Sequence, residues 1–346
     1  MATTDDTPPE PPSWFEASEQ VLEPLLNARS LIALLEGAEA VGLFREMRTG
    51  TTSAELAEAT GLTEQRVQDV CAALVANRVA VEDSSGFRLS PAWDVLTGPS
   101  AVSPLASALA AAEVSARELT NLSGPSGWAT LSETERLAYA TAVSPNPFSD
   151  AMVALVRARA ATPPVVRERF RDDDRILELG CGAAGQLLCT LRAFPGVTAV
   201  GVERSADLAA EARRRSQALG VADRLDVIVG DAATVRLEGE FDVVAWSQFF
   251  FPSESRAGAL ATAYAALRRG GLIVAPLLAH DPSDEAESFG TEARSVALTR
   301  VVHGGWGVPA RSAAELVEEV TAAGFTDAVA SATPGTGISL VAATRH

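Results

Sequence analysis

Apolar residues along this chain follow two regimes. From about residue 18 to 48 they recur at helical spacing: Val21, Leu22, Leu25 and Leu26, then Leu31, Leu34 and Leu35, then Val41, Leu43 and Phe44. Thr52-Ser-Ala-Glu55 has the form of a capping box, which opens a short helix through Glu58. A turn at Thr60-Gly-Leu62 leads to a second helix from near Thr63 to Ala76, and Val79–Leu89 predicts a hairpin whose tip is Asp83 to Gly86. Helix, turn, helix and β-wing is the order of a winged helix. From Gly98 to Gly127 the chain is rich in Ser, Ala, Pro and Gly, with a helix from about Ser103 to Thr120 and a break at 123–127. Another helical segment, Asn146 to Ala160, precedes Pro163-Pro164.

Beyond that the rhythm changes. Strands are predicted at 176–179, 197–202, 226–229, 241–246 and 272–276. Helices between and after them are expected from Gly185 onward and at 206–219, 254–268 and 313–323. A closing pair of strands falls near 327–332 and 338–344. Such alternation predicts an α/β fold, a parallel sheet covered by helices on both faces. The organisation expected is a tail over 1–13, a mostly helical domain over 14–98, a helical linker or lid over 99–165 and a sheet domain over 166–346.

Composition narrows the chemistry. The chain has 346 residues, enough for two cores. A formal charge of −17 argues against binding a phosphate backbone. The would-be recognition helix offers only Arg66 and Arg78 against Glu64 and Asp69, too little positive charge to hold a duplex. All 28 basic residues are arginine, so no lysine can act as general base or Schiff-base former. Cys71, Cys181 and Cys189 show no metal-site spacing and cannot pair completely, which fits a reducing cytoplasm. The acidic, proline-rich start is no signal peptide, and no apolar run reaches the ~18 residues of a membrane span. Neither nucleic acid nor membrane is expected as a partner.

The most specific segment is Arg175-Ile-Leu-Glu-Leu-Gly-Cys-Gly-Ala-Ala-Gly-Gln186, a short strand running into closely spaced glycines and then a helix. Gly180, Gly182 and Gly185 fit G-x-G-x-x-G, but Glu178 stands two residues ahead, which a dehydrogenase fingerprint does not require. Glu203 ends the next strand about twenty residues on, where a ribose-binding acid belongs. Asp231 follows the third strand in Val229-Gly-Asp-Ala232. Together these features resemble class I S-adenosylmethionine (SAM) methyltransferases, over roughly the second half of the chain. The N-terminal layout is similar to that of plant-type and actinobacterial small-molecule O-methyltransferases.

The resemblance implies a Rossmann-like sheet ending in an antiparallel strand pair, a winged-helix-like dimerisation domain, a homodimer, SAM as cofactor and a small natural product as substrate. Gly180, Gly182 and Gly185 would floor the methionine and ribose moieties, or else make an ordinary tight turn. Glu178 would meet the methionine ammonium, Glu203 the ribose hydroxyls and Asp231, beside Ala232, the adenine amine. An Asx-turn is the plain alternative for Asp231. Ser247 and Gln248 would contact cofactor and substrate near the sulfonium. Phe148, Met152, Trp246, Phe251 and Trp306 are candidate walls of an apolar pocket, although Phe148 and Met152, spaced i,i+4, equally suit helix packing.

One family feature is missing. Many relatives carry a His-Asp pair after the fourth strand as base, and here that stretch reads Phe250-Phe-Pro-Ser253. His303, in Val302-His-Gly-Gly-Trp-Gly307, is the candidate catalytic residue, touching substrate or satisfying a loop carbonyl. His280 reads as part of a solvated loop, and His346 is terminal. The resembling C-methyltransferases of α-keto acids use a second histidine where this chain has Phe251, so no metal is expected. Three activities stay open: O-methylation, C-methylation of an α-keto acid or other activated carbon, and a non-methylating rearrangement or cyclisation.

Overall fold

Thr52 and Glu55 close the expected capping box: the Thr52 hydroxyl accepts from the Glu55 N–H, and the Glu55 carboxylate accepts from the Thr52 N–H. The helix Ser53–Thr60 then ends on Gly61 at φ 73°, a left-handed stop that favours glycine. Thr63 caps the next helix, Glu64–Ala76, which buries Val67, Val70, Cys71 and Leu74 on one face. Strands β1 (Ala80–Asp83) and β2 (Gly86–Leu89) pair antiparallel from Ala80↔Leu89 to Asp83↔Gly86, so the predicted hairpin forms with its tip where expected. A Cβ at Gly86 would stand 2.4 Å from the Thr51 carbonyl, which pairs with Phe87. These elements lie in the first of two units, Met1–Thr97 and Gly98–His346. The computed structural model describes residues 12–98, 101–124, 126–160, 164–277, 290–333 and 338–346. His280 and most of the expected tail lie outside the described residues.

The long N-terminal apolar stretch is helical as its periodicity predicts, over Trp14–Ala17, Ser18–Leu22 and Glu23–Ala40. Trp14, Phe15, Val21, Leu22, Leu25 and Leu26 nevertheless stay exposed. The periodicity identifies the face but not what covers it.

The second unit is built on seven strands. β3 (Arg175–Leu179), β4 (Thr198–Glu203), β5 (Leu225–Val229), β6 (Phe241–Trp246) and β7 (Leu267–Leu277) are parallel. β8 (Thr326–Thr333) and β9 (Ile338–Thr344) complete the order β5-β4-β3-β6-β7-β9-β8. β9 is antiparallel to both β7 and β8, and so lies inside the sheet while β8 forms its edge. One core (Leu177, Leu179, Val244, Leu260, Ile273, Phe325) fills one side and another (Ile176, Leu188, Leu191, Val197, Val243) the other, the two-faced burial of a parallel sheet.

The helices Leu105–Thr120, Glu133–Val143 and Asp150–Ala160 belong to this unit with the sheet. The Glu133–Val143 helix, capped by a Ser132–Glu135 box, and the Thr291–Gly305 helix were not predicted from sequence. No helix among the described residues is long and apolar enough to cross a membrane.

Candidate active site

The turn after β3 bends sharply at Gly180 (φ 76°) and Gly182 (φ 55°), both in the left-handed region, before the helix Gly185–Ala193 begins. The three glycines serve different ends. A Cβ on Gly180 would stand 2.9 Å from the Phe251 ring. One on Gly185 would meet the Pro145 carbonyl at 2.4 Å and the Ser144 Oγ at 2.7 Å. At both positions an added carbon would meet neighbouring protein atoms. At Gly182 the nearest neighbour is 3.7 Å away, so backbone conformation is what favours glycine there.

Two carboxylates converge at the C-terminal ends of β3 and β4, where open α/β sheets bind ligands. Glu203 is buried and anchored: Oε2 accepts from the Gly182 N–H at 2.8 Å and Oε1 from the Ser205 N–H at 2.8 Å. Burial raises its pKa, while the hydrogen bonds from Ser205, Gly182 and Arg204 pull it down. Glu178 differs. Its Oε1 accepts from the Ser247 hydroxyl at 3.3 Å, but its buried Oε2 has no partner among the described residues. Burial pushes this carboxyl up to about 8, the Ser247 bond opposes that, and the Glu203 charge pushes further. An unpaired buried carboxyl oxygen is costly unless a cation or donor reaches it. The donor set therefore fits a cofactor that brings an ammonium to Glu178 and hydroxyls to Glu203. Asp231 is exposed, and one carboxylate oxygen accepts from the Ala233 N–H at 2.8 Å, the Asx-turn alternative. Ala232 is buried in the core.

Beyond β6 the side chains turn inward. Trp246 has no solvent exposure, so it cannot line a substrate wall: the Arg256 guanidinium lies 4.7 Å over its ring. Phe251 is also buried in that core, edge-on to Trp246 at 5.8 Å. The Gln248 amide donates to the Pro276 carbonyl and accepts from Arg256, so its polar atoms serve the protein and not a cofactor. Arg256 also grips both oxygens of Glu319 at 2.7 Å and donates to the Gln248 carbonyl at 2.8 Å. Met152 packs with Val156 and Cys189, the helix-packing alternative. Phe148 is exposed, in a groove with Pro104, Leu137 and Pro147.

A second cluster forms around His303 in the last turn of the Thr291–Gly305 helix. Its Nε2 lies 3.1 Å from the Tyr139 hydroxyl, not against a loop carbonyl. The imidazole stacks on Trp306 at 5.3 Å and tilts against Phe250 at 5.4 Å. Trp306 is buried, and its indole N–H donates to Glu118 at 2.9 Å, which fixes the stack. Trp128 touches Tyr139, Phe250 and Trp306 and donates to the Ser205 hydroxyl at 3.2 Å, two residues past Glu203. The aromatic cluster is thereby tied to the loop after β4 and to the residues just after β6. Burial pushes the imidazole down to about 4 and the Tyr139 hydroxyl up to about 12. Sequence reasoning missed Tyr139, Trp128 and Glu118, although the Ser132–Glu135 box marks the helix that carries Tyr139.

A larger cavity of about 500 Å³ is lined by Arg175, Leu225 and Phe241, the first residues of β3, β5 and β6. It sits at the wrong end of the strands for ligand binding in such a sheet.

Residues 176–271 match the methyltransferase domain family. The uncharacterized protein YjhP of Escherichia coli (strain K12) is 34% identical over 135 residues, 38% of this chain and 54% of its own length. The matched region thus spans about half of that relative. Among solved structures, a candidate O-methyltransferase from Nostoc punctiforme PCC 73102 superposes with a TM-score of 0.72 at 18% identity, covering 98% of this chain and 100% of its own. A methyltransferase of calicheamicin biosynthesis, in its form bound to S-adenosylhomocysteine (SAH), gives 0.67 at 20% identity, covering 97% and 100%. At such identities the likeness is one of fold. Residues 176–271 thus match a methyltransferase domain, and the chain shares the fold of these solved structures.

Proposed function

We propose that this chain is a SAM-dependent methyltransferase acting on a small natural-product molecule. The observation that carries this reading is the unpaired Glu178 Oε2, buried at the C-terminal end of β3 beside the anchored Glu203. When bound, SAM supplies an electrophilic methyl on a sulfonium. Glu178 holds the ammonium, Glu203 accepts from the ribose hydroxyls, and Ser247 keeps the Glu178 carboxylate oriented. The aromatic cluster of Trp128, Tyr139, Phe250 and Trp306 excludes water from the acceptor's side, so that positioning supplies most of the rate. His303 is the candidate base. Held near 4, it is neutral at ordinary pH, with Nε2 aligned by Tyr139, but it is a weak base. That favours acceptors needing little deprotonation, a low-pKa phenol or an enolisable carbon such as that of an α-keto acid.

The first unit, winged-helix-like in element order, serves in this reading as a homodimer arm through the exposed apolar residues between Trp14 and Leu26. The three free, buried cysteines agree with a reducing cytoplasm.

Isothermal titration with SAH is the test. One site per chain is expected, with methylated product when SAM and an acceptor are supplied. Absence of any nucleoside binding sinks the reading. In the same assay Tyr139→Phe should lower kcat about tenfold, the value of one buried hydrogen bond, while leaving SAH affinity and acceptor KM unchanged. An equal rise in KM would make Tyr139 a packing residue instead.

A further inference from the structure

A cavity of about 210 Å³ opens beside His303, lined by Gln248, Phe249, Ser295, Thr299, Arg300 and Arg311 among others. Among the described residues its lining holds two arginines and no carboxylate. In a chain with 45 acidic residues against 28 basic ones this is a local inversion of charge. Two acids on the Ala313–Ala322 helix are already engaged. Glu319 is shared between Arg256 and Arg311, and Glu315 caps its own helix through Ser312. Two guanidiniums around one carboxylate leave an excess positive charge, and Arg300 on the adjoining helix adds a second. The Ser295 and Thr299 hydroxyls stand on the same helix, with Thr299 donating to the Ser295 carbonyl. Phe249 and Val308 add apolar lining to the cavity.

Resting on the methyltransferase reading, we propose that this cavity is the acceptor subsite and that it selects a substrate carrying a carboxylate, which Arg300 binds with Arg311. Drug-sized pockets run from about 300 to 1,000 Å³. A cavity of about 210 Å³ suits one substituted ring or a small keto acid. Arginine presents a planar fork that matches a carboxylate bidentately. His303 on the same wall faces the group next to that carboxylate, where the methyl acceptor sits. A neutral amide of the same shape lacks the charge and presents two N–H donors to a guanidinium that can only donate, so it is rejected.

Trp306, stacked on His303, provides a fluorescence readout. The probes are 2-hydroxybenzoate and 2-hydroxybenzamide, titrated into the full chain with and without saturating SAH. The acid is expected to bind at least tenfold more tightly than the amide. Arg300→Ala should erase that preference and Arg300→Lys should restore part of it, with SAH affinity unchanged in both. Arg300 is exposed, so these variants keep the fold. Equal affinity for the two probes, no binding of either, or a preference that survives Arg300→Ala overturns the proposal. Failure to bind SAH, by contrast, overturns the cofactor reading, and the acid–amide comparison without SAH separates the two failures.

Discussion

Glu178→Gln is expected to weaken SAM binding roughly thirty- to 150-fold at pH 7.5, because a charged hydrogen bond of about 2–3 kcal/mol is lost while the side-chain shape is kept. The pH dependence is the sharper signature. With its folded pKa raised from 4.5 to about 8, Glu178 holds a proton at pH 6 that an arriving ammonium must expel. Wild-type affinity should therefore tighten as pH rises from 6 towards 7.5, before the ligand's own α-amino group begins to deprotonate near about 8. Calorimetry in buffers of different ionisation enthalpy should register release of close to one proton at pH 6.5 and none in the Gln variant. The free protein moves the other way. A raised carboxyl pKa contributes stability that is full below 4.5 and is lost as pH rises through about 8. The Gln variant should lack that decline. A wild-type affinity flat from pH 6 to 7.5 would mean that nothing cationic meets Glu178.

Arg256→Ala should destabilise the second unit by about 3 kcal/mol, the low end for breaking a buried ion pair because Glu319 keeps Arg311 as a partner. For a unit of this size that is a fall in Tm of roughly 6–12 °C. Arg256 is 2% exposed and ties Gln248, just past β6, to Glu319 on the Ala313–Ala322 helix. Removing it strands the Gln248 carbonyl and one face of Trp246. The paired change Arg256→Met with Glu319→Leu should recover most of the loss, since an apolar pair of similar volume leaves no stranded charge. A thermal scan showing both variants at wild-type Tm would mean that the network adds no net stability.

The two predictions differ in how far they could be read in advance. Glu178 and Glu203 are legible because spacing along a strand–turn–helix–strand unit fixes where strand ends fall, and chemistry at a strand end follows from position alone. Strands β3 to β6 are legible for a related reason: apolar runs bounded by glycine or charge leave few alternatives. Side-chain direction is not. A strand buried on both faces shows no alternation, so nothing local says that Trp246 and Phe251 face the core. The Tyr139–His303 bond joins residues 164 apart in sequence, and Gly185 is cleared for the Pro145 carbonyl. Both depend on which helix lies over which loop. The Thr291–Gly305 helix hides its identity in an interrupted apolar pattern ending in two glycines, which reads locally as a terminator and nothing more.

The position of β9 has a consequence for how the sheet comes into being. β8 is synthesised before β9, yet in the finished sheet its ladder partner among the described residues is β9, which stands between it and β7. A growing chain carrying β3 to β8 thus has an unpaired strand and an open β7 edge, both templates for wrong pairing. The parallel half can assemble during synthesis, but the antiparallel half must wait and then close in one step. Loss of Ile338–Thr344 would therefore remove one strand from the sheet and strand a second.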